Sequence, residues 1–476
     1  MKKLIDILLG KSESLKHTRN YMMGQIINKG LHFLLIPITT ALLTEAEYGT
    51  NSLFNSTVNI FVVLLPLCIY KGVSRFYYDL QYDKKEMLGN QFLLMMIWMT
   101  LMSIISATSI PLWKGFSGLT TYLCLWMIFN SFMQSIINFY LAFLQSRKQS
   151  SIYAMYSVVI GVATTLISIV WMMQLEEQVF LGVIYANSIV RTIAAIVAIV
   201  HMWPHMKFNM NATMRKEIYH FNLPLIPQMI SSFILNYVDR YMINAMVDSA
   251  SSGLYSFAYN FGIIINIIVL AINQTFGPEF YEMMNKKNYD RIARQVSFYQ
   301  KGLLTISSCI VLFAPEVVRI IANPRYHVGI PVIPAICYGY VAFHLYATVS
   351  CYCTYYKKNS FTAIISIVAS IINIILNYFG IKHFGYQAAA YTTVICQFIQ
   401  YLLCRYGVTH ILKIQTHAFD KSLKEMIIFI LLTYAGLYCV DTLQLTMIPG
   451  ILFKSFYLLF VFAYIWREEL HREKRA

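Results

Sequence analysis

Stretches of about twenty apolar residues recur from one end of this 476-residue chain to the other, and no other feature limits its fold as much. A helix of that length, rising about 1.5 Å per residue, crosses the roughly 30 Å hydrocarbon core of a bilayer. Hydrocarbon offers no partner to a backbone N–H or C=O, so runs of this length must be helices that satisfy their own backbone. Fourteen spans are expected, at 20–43, 52–71, 89–112, 119–145, 151–173, 178–202, 222–247, 254–278, 297–322, 329–356, 360–381, 386–406, 423–441 and 447–466. Only 12% of the residues are charged, against about a quarter in a soluble domain. The connections are short, and none is expected to fold outside the membrane. The pattern therefore predicts an all-α integral membrane protein of 14 transmembrane helices.

The basic residues orient it. With a cytoplasmic N-terminus, the inner segments collect Lys and Arg from Lys2, Lys3, Lys11, Lys16 and Arg19 through to Arg467, Arg472, Lys474 and Arg475. The outer loops keep Lys114, Arg319, Arg325 and Lys382. This asymmetry predicts an N-in, C-in topology. It also assigns the net charge of +15 to contact with anionic inner-leaflet lipids rather than nucleic acid. Leu4, Ile5, Leu8 and Leu9 share one helical face, so residues 1–19 read as a cytoplasmic amphipathic helix. Asp6 in its short apolar run, and the lack of a small-residue cleavage site, argue against a cleaved signal. The nine cysteines lie mostly within apolar segments and read as small buried hydrophobes, with no disulfide framework and no metal site.

An internal repeat organises the spans. "EAEYGTNSLF" joins helices 1 and 2, and "SASSGLYSFAY" joins helices 7 and 8. Aligning Gly49 with Gly253 gives an offset of 204, and the same offset lays Phe76 and Tyr77 on Phe280 and Tyr281. The unit is six helices, an even number, so both copies share one orientation. This implies two pseudo-symmetric six-helix lobes with a site between them near mid-membrane. The expected organisation is an N-lobe at 20–206, a cytoplasmic linker at 207–221, a C-lobe at 222–406, a cytoplasmic loop at 407–422, two C-terminal helices at 423–466, and a tail at 467–476.

Charges inside spans are costly and mark cavities or partners. Lys29, with Asn28 beside it, lies in helix 1; Arg191, one turn after Asn187, lies in helix 6; Asp239 and Arg240 lie in helix 7. For Lys29 and Arg191 two readings stand: lining a polar cavity, or bonding a neighbouring helix. Adjacent helical residues diverge by about 100°, so Asp239 and Arg240 are expected to serve separate environments. Arg240 offers a planar fork for a pyrophosphate. Asp239 is either a proton or sodium site that couples transport, or a brace. Lys454, near the start of the last span, is expected to snorkel. Arg75 and its repeat counterpart Glu279 have opposite charges, which suggests an inner gate. Pro37, Pro66, Pro224 and Pro227 remove backbone donors and are expected to permit bends.

Helix 1 continues into "TEAEYG", helix 2 leaves through "KGVSRFYYD", helix 7 reads "FNLPLIPQMISSFILNYVDRYMI", helix 8 opens with "SGLYSFAYNFG" and ends in "FGPEFYE", and helix 12 opens with "FGYQAAAYTT". These stretches resemble the polysaccharide transporters of the multidrug/oligosaccharidyl-lipid/polysaccharide exporter superfamily, in particular the Wzx-type flippases. The resemblance implies alternating access by a fourteen-helix, two-lobed bundle in the bacterial cytoplasmic membrane. The implied substrate is an undecaprenyl-pyrophosphate-linked oligosaccharide of the O-antigen, capsule or exopolysaccharide type. It implies no cofactor beyond a coupling H+ or Na+, contact with membrane lipids, polymerase and chain-length proteins as partners, and a monomer. A multidrug or small-solute cation-coupled antiporter of the same layout is the alternative. A membrane-embedded polysaccharide polymerase is disfavoured, because no Asp-x-Asp, metal-spaced His cluster or glycine phosphate loop is present.

Overall fold

The computed structural model describes residues 20, 23, 24, 27, 30, 31, 33–78, 82–209, 212–414, 417–443 and 446–473. Residues 1–19, Asn28 and Lys29 lie outside them. Among the described residues there is no strand. The helices are α1 (Ile36–Leu42), α2 (Glu45–Leu64), α3 (Ile69–Tyr77), α4 (Lys84–Thr108), α5 (Ile110–Ser117), α6 (Thr121–Ser146), α7 (Ser150–Gln174), α8 (Phe180–Met202), α9 (Ala212–Asn222), α10 (Leu225–Met246), α11 (Ser249–Asn285), α12 (Tyr289–Ile321), α13 (Ile333–Tyr355), α14 (Asn359–Phe384), α15 (Ala388–Tyr406), α16 (His417–Thr442) and α17 (Met447–Glu473).

Among the described residues nine helices are long and apolar enough to cross a membrane, or ten when the bent pair α2 and α3 counts as one. α10 and α15, which carry several polar residues, and α17 are not among them. The pair α2/α3 bends by 52° at residues 65–68. Pro66 lies in that break, and Leu67 and Cys68 take left-handed φ values of 49° and 60°. Pro224 and Pro227 behave differently from the expectation. α9 ends at Asn222, Pro224 caps α10, and Pro227 lies in its first turn. First-turn N–H groups have no intrahelical acceptor, so these prolines start a helix rather than bend one. Pro37 likewise falls at the beginning of α1. Pro315 lies inside α12 and Pro278 inside α11.

Local sequence accounts for several starts. The "TEAE" motif makes a capping box: the Glu47 N–H donates to Thr44 Oγ1 at 3.2 Å, and the Thr44 N–H donates to Glu47 Oε2 at 3.0 Å. Thr120 caps α6 and Asn288 caps α12 through their side-chain oxygens. On α7, Met155, Val159, Leu166, Val170 and Met173 are exposed along one stripe. Such a stripe on a 25-residue apolar helix suits lipid.

The described residues form two compact units, one up to Gly253 and the other from Leu254. In the first, α6 packs against α2, α3 and α8, and α10 packs on α2. Its core has two clusters, one around Val73, Met95 and Phe139, the other around Phe54, Cys124 and Ile184. In the second unit α13 packs on α15, α14 on α15, and α12 on α16. The two repeat-equivalent glycines meet in the first unit. A Cβ on Gly49 would run into the Ser249 carbonyl, and one on Gly253 into the Glu45 carbonyl. The contact is reciprocal, since 45 and 249 are related by the same offset as 49 and 253.

Candidate functional site

α10 brings Asp239 and Arg240 into the first unit fully buried, at 1% and 5% exposure. They are not separated as expected. The Asp239 Oδ1 accepts the Arg240 backbone N–H at 2.9 Å, and Arg240 Nη1 returns to the same oxygen at 3.5 Å. The 100° divergence of adjacent residues is overcome because the long arginine side chain doubles back. Arg240 Nη1 also donates to the Asn236 carbonyl at 2.6 Å, and the guanidinium lies over the Tyr237 ring at 5.3 Å. The carboxylate thus braces the arginine. Tyr241 OH, 2.8 Å from Thr57 Oγ1, fixes the same turn of α10 to α2.

Arg191 has a different environment. It projects from α8, partly buried, and its Nη1 donates to Asn130 Oδ1 on α6 at 3.1 Å. Asn130 is fully buried. Its amide nitrogen donates to Ser188 Oγ at 2.7 Å and the Trp126 carbonyl at 2.9 Å. Those two bonds fix the amide so that its oxygen faces the arginine. Among the described residues no carboxylate lies within ion-pair distance of Arg191. A guanidinium has five N–H donors, and a neutral amide here takes one. Asn187 donates to the Val183 carbonyl at 2.9 Å, within its own helix.

Arg75 is exposed and rests over the Phe221 ring at 4.5 Å and the Phe76 ring at 5.8 Å. Glu279 Oε2 accepts from Gln295 Nε2 at 2.5 Å.

The second unit holds buried charges that the sequence reading did not pair. Lys454 does not snorkel: it is 2% exposed, with Nζ 2.7 Å from Glu316 Oε1. Lys301, which follows a run of basic residues expected to be cytoplasmic, is 2% exposed and lies 3.5 Å from Glu425 Oε1. These pairs join α17 and α16, respectively, to α12. A neutral ladder links α14 to α15: the Thr392 hydroxyl donates to Asn377 Oδ1, and Asn377 Nδ2 donates to Asn373 Oδ1 at 3.2 Å. Asn130 was readable as a polar residue inside an apolar run; the lysine pairs were not, because each joins residues more than a hundred positions apart.

Residues 14–284, more than half of the chain, match the polysaccharide biosynthesis protein family. The chain belongs to that family. This polysaccharide biosynthesis protein is 24% identical over 378 residues to the Lsg locus putative protein 1 of Haemophilus influenzae, covering 74% of this chain and 87% of the relative. Its fold is similar to that of the lipid II flippase MurJ in an inward closed conformation, with a TM-score of 0.72, 12% identity, and coverage of 96% of this chain and 100% of MurJ. It is also similar to an inward-facing multidrug resistance MATE family transporter of the MOP superfamily, with a TM-score of 0.67, 12% identity, and coverage of 83% and 100%. The family places the chain in polysaccharide biosynthesis, and its fold is one also found in membrane transporters.

Proposed function

We propose that the protein is an alternating-access flippase that moves an undecaprenyl-pyrophosphate-linked oligosaccharide across the bacterial cytoplasmic membrane, with fourteen spans and both termini inside. Three supports converge on this reading: the family, the likeness to a lipid-linked-precursor flippase, and the state of Arg191. The last carries the chemistry. An arginine in mid-span held by one neutral amide keeps its charge and most of its donors for an anion, and a pyrophosphate matches a planar fork of donors. Arg240, already balanced by Asp239, is the weaker candidate for that contact.

The test is surface glycan display in cells lacking the native gene and supplied with Arg191→Ala or Arg191→Lys, with membrane insertion checked by immunoblot. Arg191→Ala is expected to lose display while inserting normally, and Arg191→Lys to keep part of it. Normal display by Arg191→Ala refutes the anion contact. The MATE likeness supports a second reading, a cation-coupled antiporter. That reading expects changed drug susceptibility on deletion and no change in surface glycan.

A further inference from the structure

A second cationic site lies in the first unit, away from Arg191, where the C-terminal ends of α6 and α8 come together. Arg147 caps α6, His201 lies in the last turn of α8, and His205 ends the short 3-10 turn that follows it. Arg147 Nη1 lies 2.7 Å from His205 Nε2. An arginine can only donate, so His205 must present a bare ring nitrogen to a cation. His201 Nδ1 is 3.0 Å from Tyr140 OH, and the two imidazole centroids are 6.3 Å apart. Phe143 backs the cluster, with Arg147 over its ring at 5.3 Å and His205 at 5.7 Å.

The charges around His205 are Arg147, His201 and Lys85, none of them acidic. Among the described residues no carboxylate pairs with Arg147, His201 or His205. Two helix C-termini supply roughly half a negative charge each, which leaves Arg147 and Lys85 only partly balanced. An Arg–imidazole bond in which one partner must stay deprotonated is a poor resting partner for a guanidinium. A phosphate group that displaces His205 Nε2 from Arg147 would accept from the guanidinium with one oxygen and from imidazole N–H groups and the Tyr140 hydroxyl with others.

We infer that Arg147, His201, His205 and Tyr140 form a phosphate-binding site at this end of the first unit. Its ligand chemistry is a phosphate monoanion or dianion, carried by a lipid headgroup or free in solution. The site does not depend on the flippase reading, and an antiporter would hold it equally well.

The experiment uses the full chain in phosphatidylcholine nanodiscs. It measures how fast diethylpyrocarbonate modifies His201 and His205, by peptide mass spectrometry, with the exposed His410 as internal control. One arm adds phosphatidylglycerol to the bilayer and the other adds inorganic pyrophosphate to the buffer. Protection of His201 and His205 by about fivefold or more, with His410 unchanged, is expected in at least one arm, and the protecting arm identifies the source. Arg147→Gln is expected to weaken binding roughly tenfold, as loss of a charge-assisted bond does, and to remove the protection. Arg147→Lys, which keeps the charge, is expected to retain part of it and serves as the check if Arg147→Gln does not fold. No protection in either arm, or protection undiminished in both variants, overturns the site.

Discussion

Breaking the Lys454–Glu316 pair tests how the last helix is held. At 2.7 Å two unit charges attract by about 6 kcal/mol at an effective dielectric of about 20. Desolvation of both groups offsets much of that attraction, so the pair as a whole adds little to stability. Losing one partner is different. The side chains of Lys454 and Glu316 are 3% and 10% exposed, so the survivor stays buried with its charge uncompensated, at a cost of about 3–5 kcal/mol. Glu316 Oε2 already lacks a hydrogen-bond partner, so the carboxylate depends on this one lysine. Lys454→Met and Glu316→Leu are each expected to destabilise the protein by about 3 kcal/mol. The double variant Lys454→Met/Glu316→Leu is expected to lose less than about 2 kcal/mol, since an apolar pair replaces an ionic one at little net cost. Equilibrium unfolding in mixed micelles, followed by the fluorescence of the six tryptophans, gives all three values. The implied coupling is about 4 kcal/mol. Single losses below about 1 kcal/mol that add up in the double variant would show that the two charges are solvated, and the desolvation argument would fail.

Gly49→Ala and Gly253→Ala should each cost about 1–3 kcal/mol, because each places a methyl group against a carbonyl of the facing helix. Gly302→Ala, in α12 with nothing within 4 Å of the new Cβ, should be neutral or stabilising by up to about 1 kcal/mol; equal effects at all three positions in a thermal melt would contradict the close approach. Asp239→Asn should destabilise by about 1–3 kcal/mol, and by much less in an Arg240→Gln background where no cation remains to be balanced. Additive losses would remove the ion pair from the account. Thr44→Ala should cost about 1 kcal/mol through the lost capping box, visible as a lower unfolding midpoint.

The helices were legible because hydrocarbon leaves a long apolar run no other choice. The start of α2 was not: "TEAE" reads as part of the connection before a span at 52–71, whereas it forms a capping box that starts the helix at Glu45. The offset of 204 was legible, and it relates the contact of Gly49 with Ser249 to that of Gly253 with Glu45, but the meeting itself was not foreseen. What the sequence hid were partners. The periodicity of α10 says that residues 239 and 240 point apart, yet an arginine is long enough to fold back on its neighbour. Lys301 sits beside a cytoplasmic basic run and reads as one of its members, but α16 supplies Glu425. Pro224, inside the expected span 222–247, reads as a residue that permits a bend, whereas it caps the start of α10.

These partners sort the buried cations. Arg240, Lys301 and Lys454 each have a carboxylate within 3.5 Å; among the described residues Arg191 has an amide oxygen instead. A charge inside the bilayer costs several kcal/mol unless water, a counter-charge or a ligand reaches it. For the three matched cations the counter-charge is built in: Lys301 and Lys454 fasten one helix to another, and Arg240 is balanced within α10. For Arg191 the first unit supplies orientation through Asn130 but no neutralisation. In the proposed flippase, Arg191 is compensated by water between cycles and by an anion during one. On that reading this asymmetry, rather than depth in the membrane, separates a cation left for a substrate from one that fastens a helix.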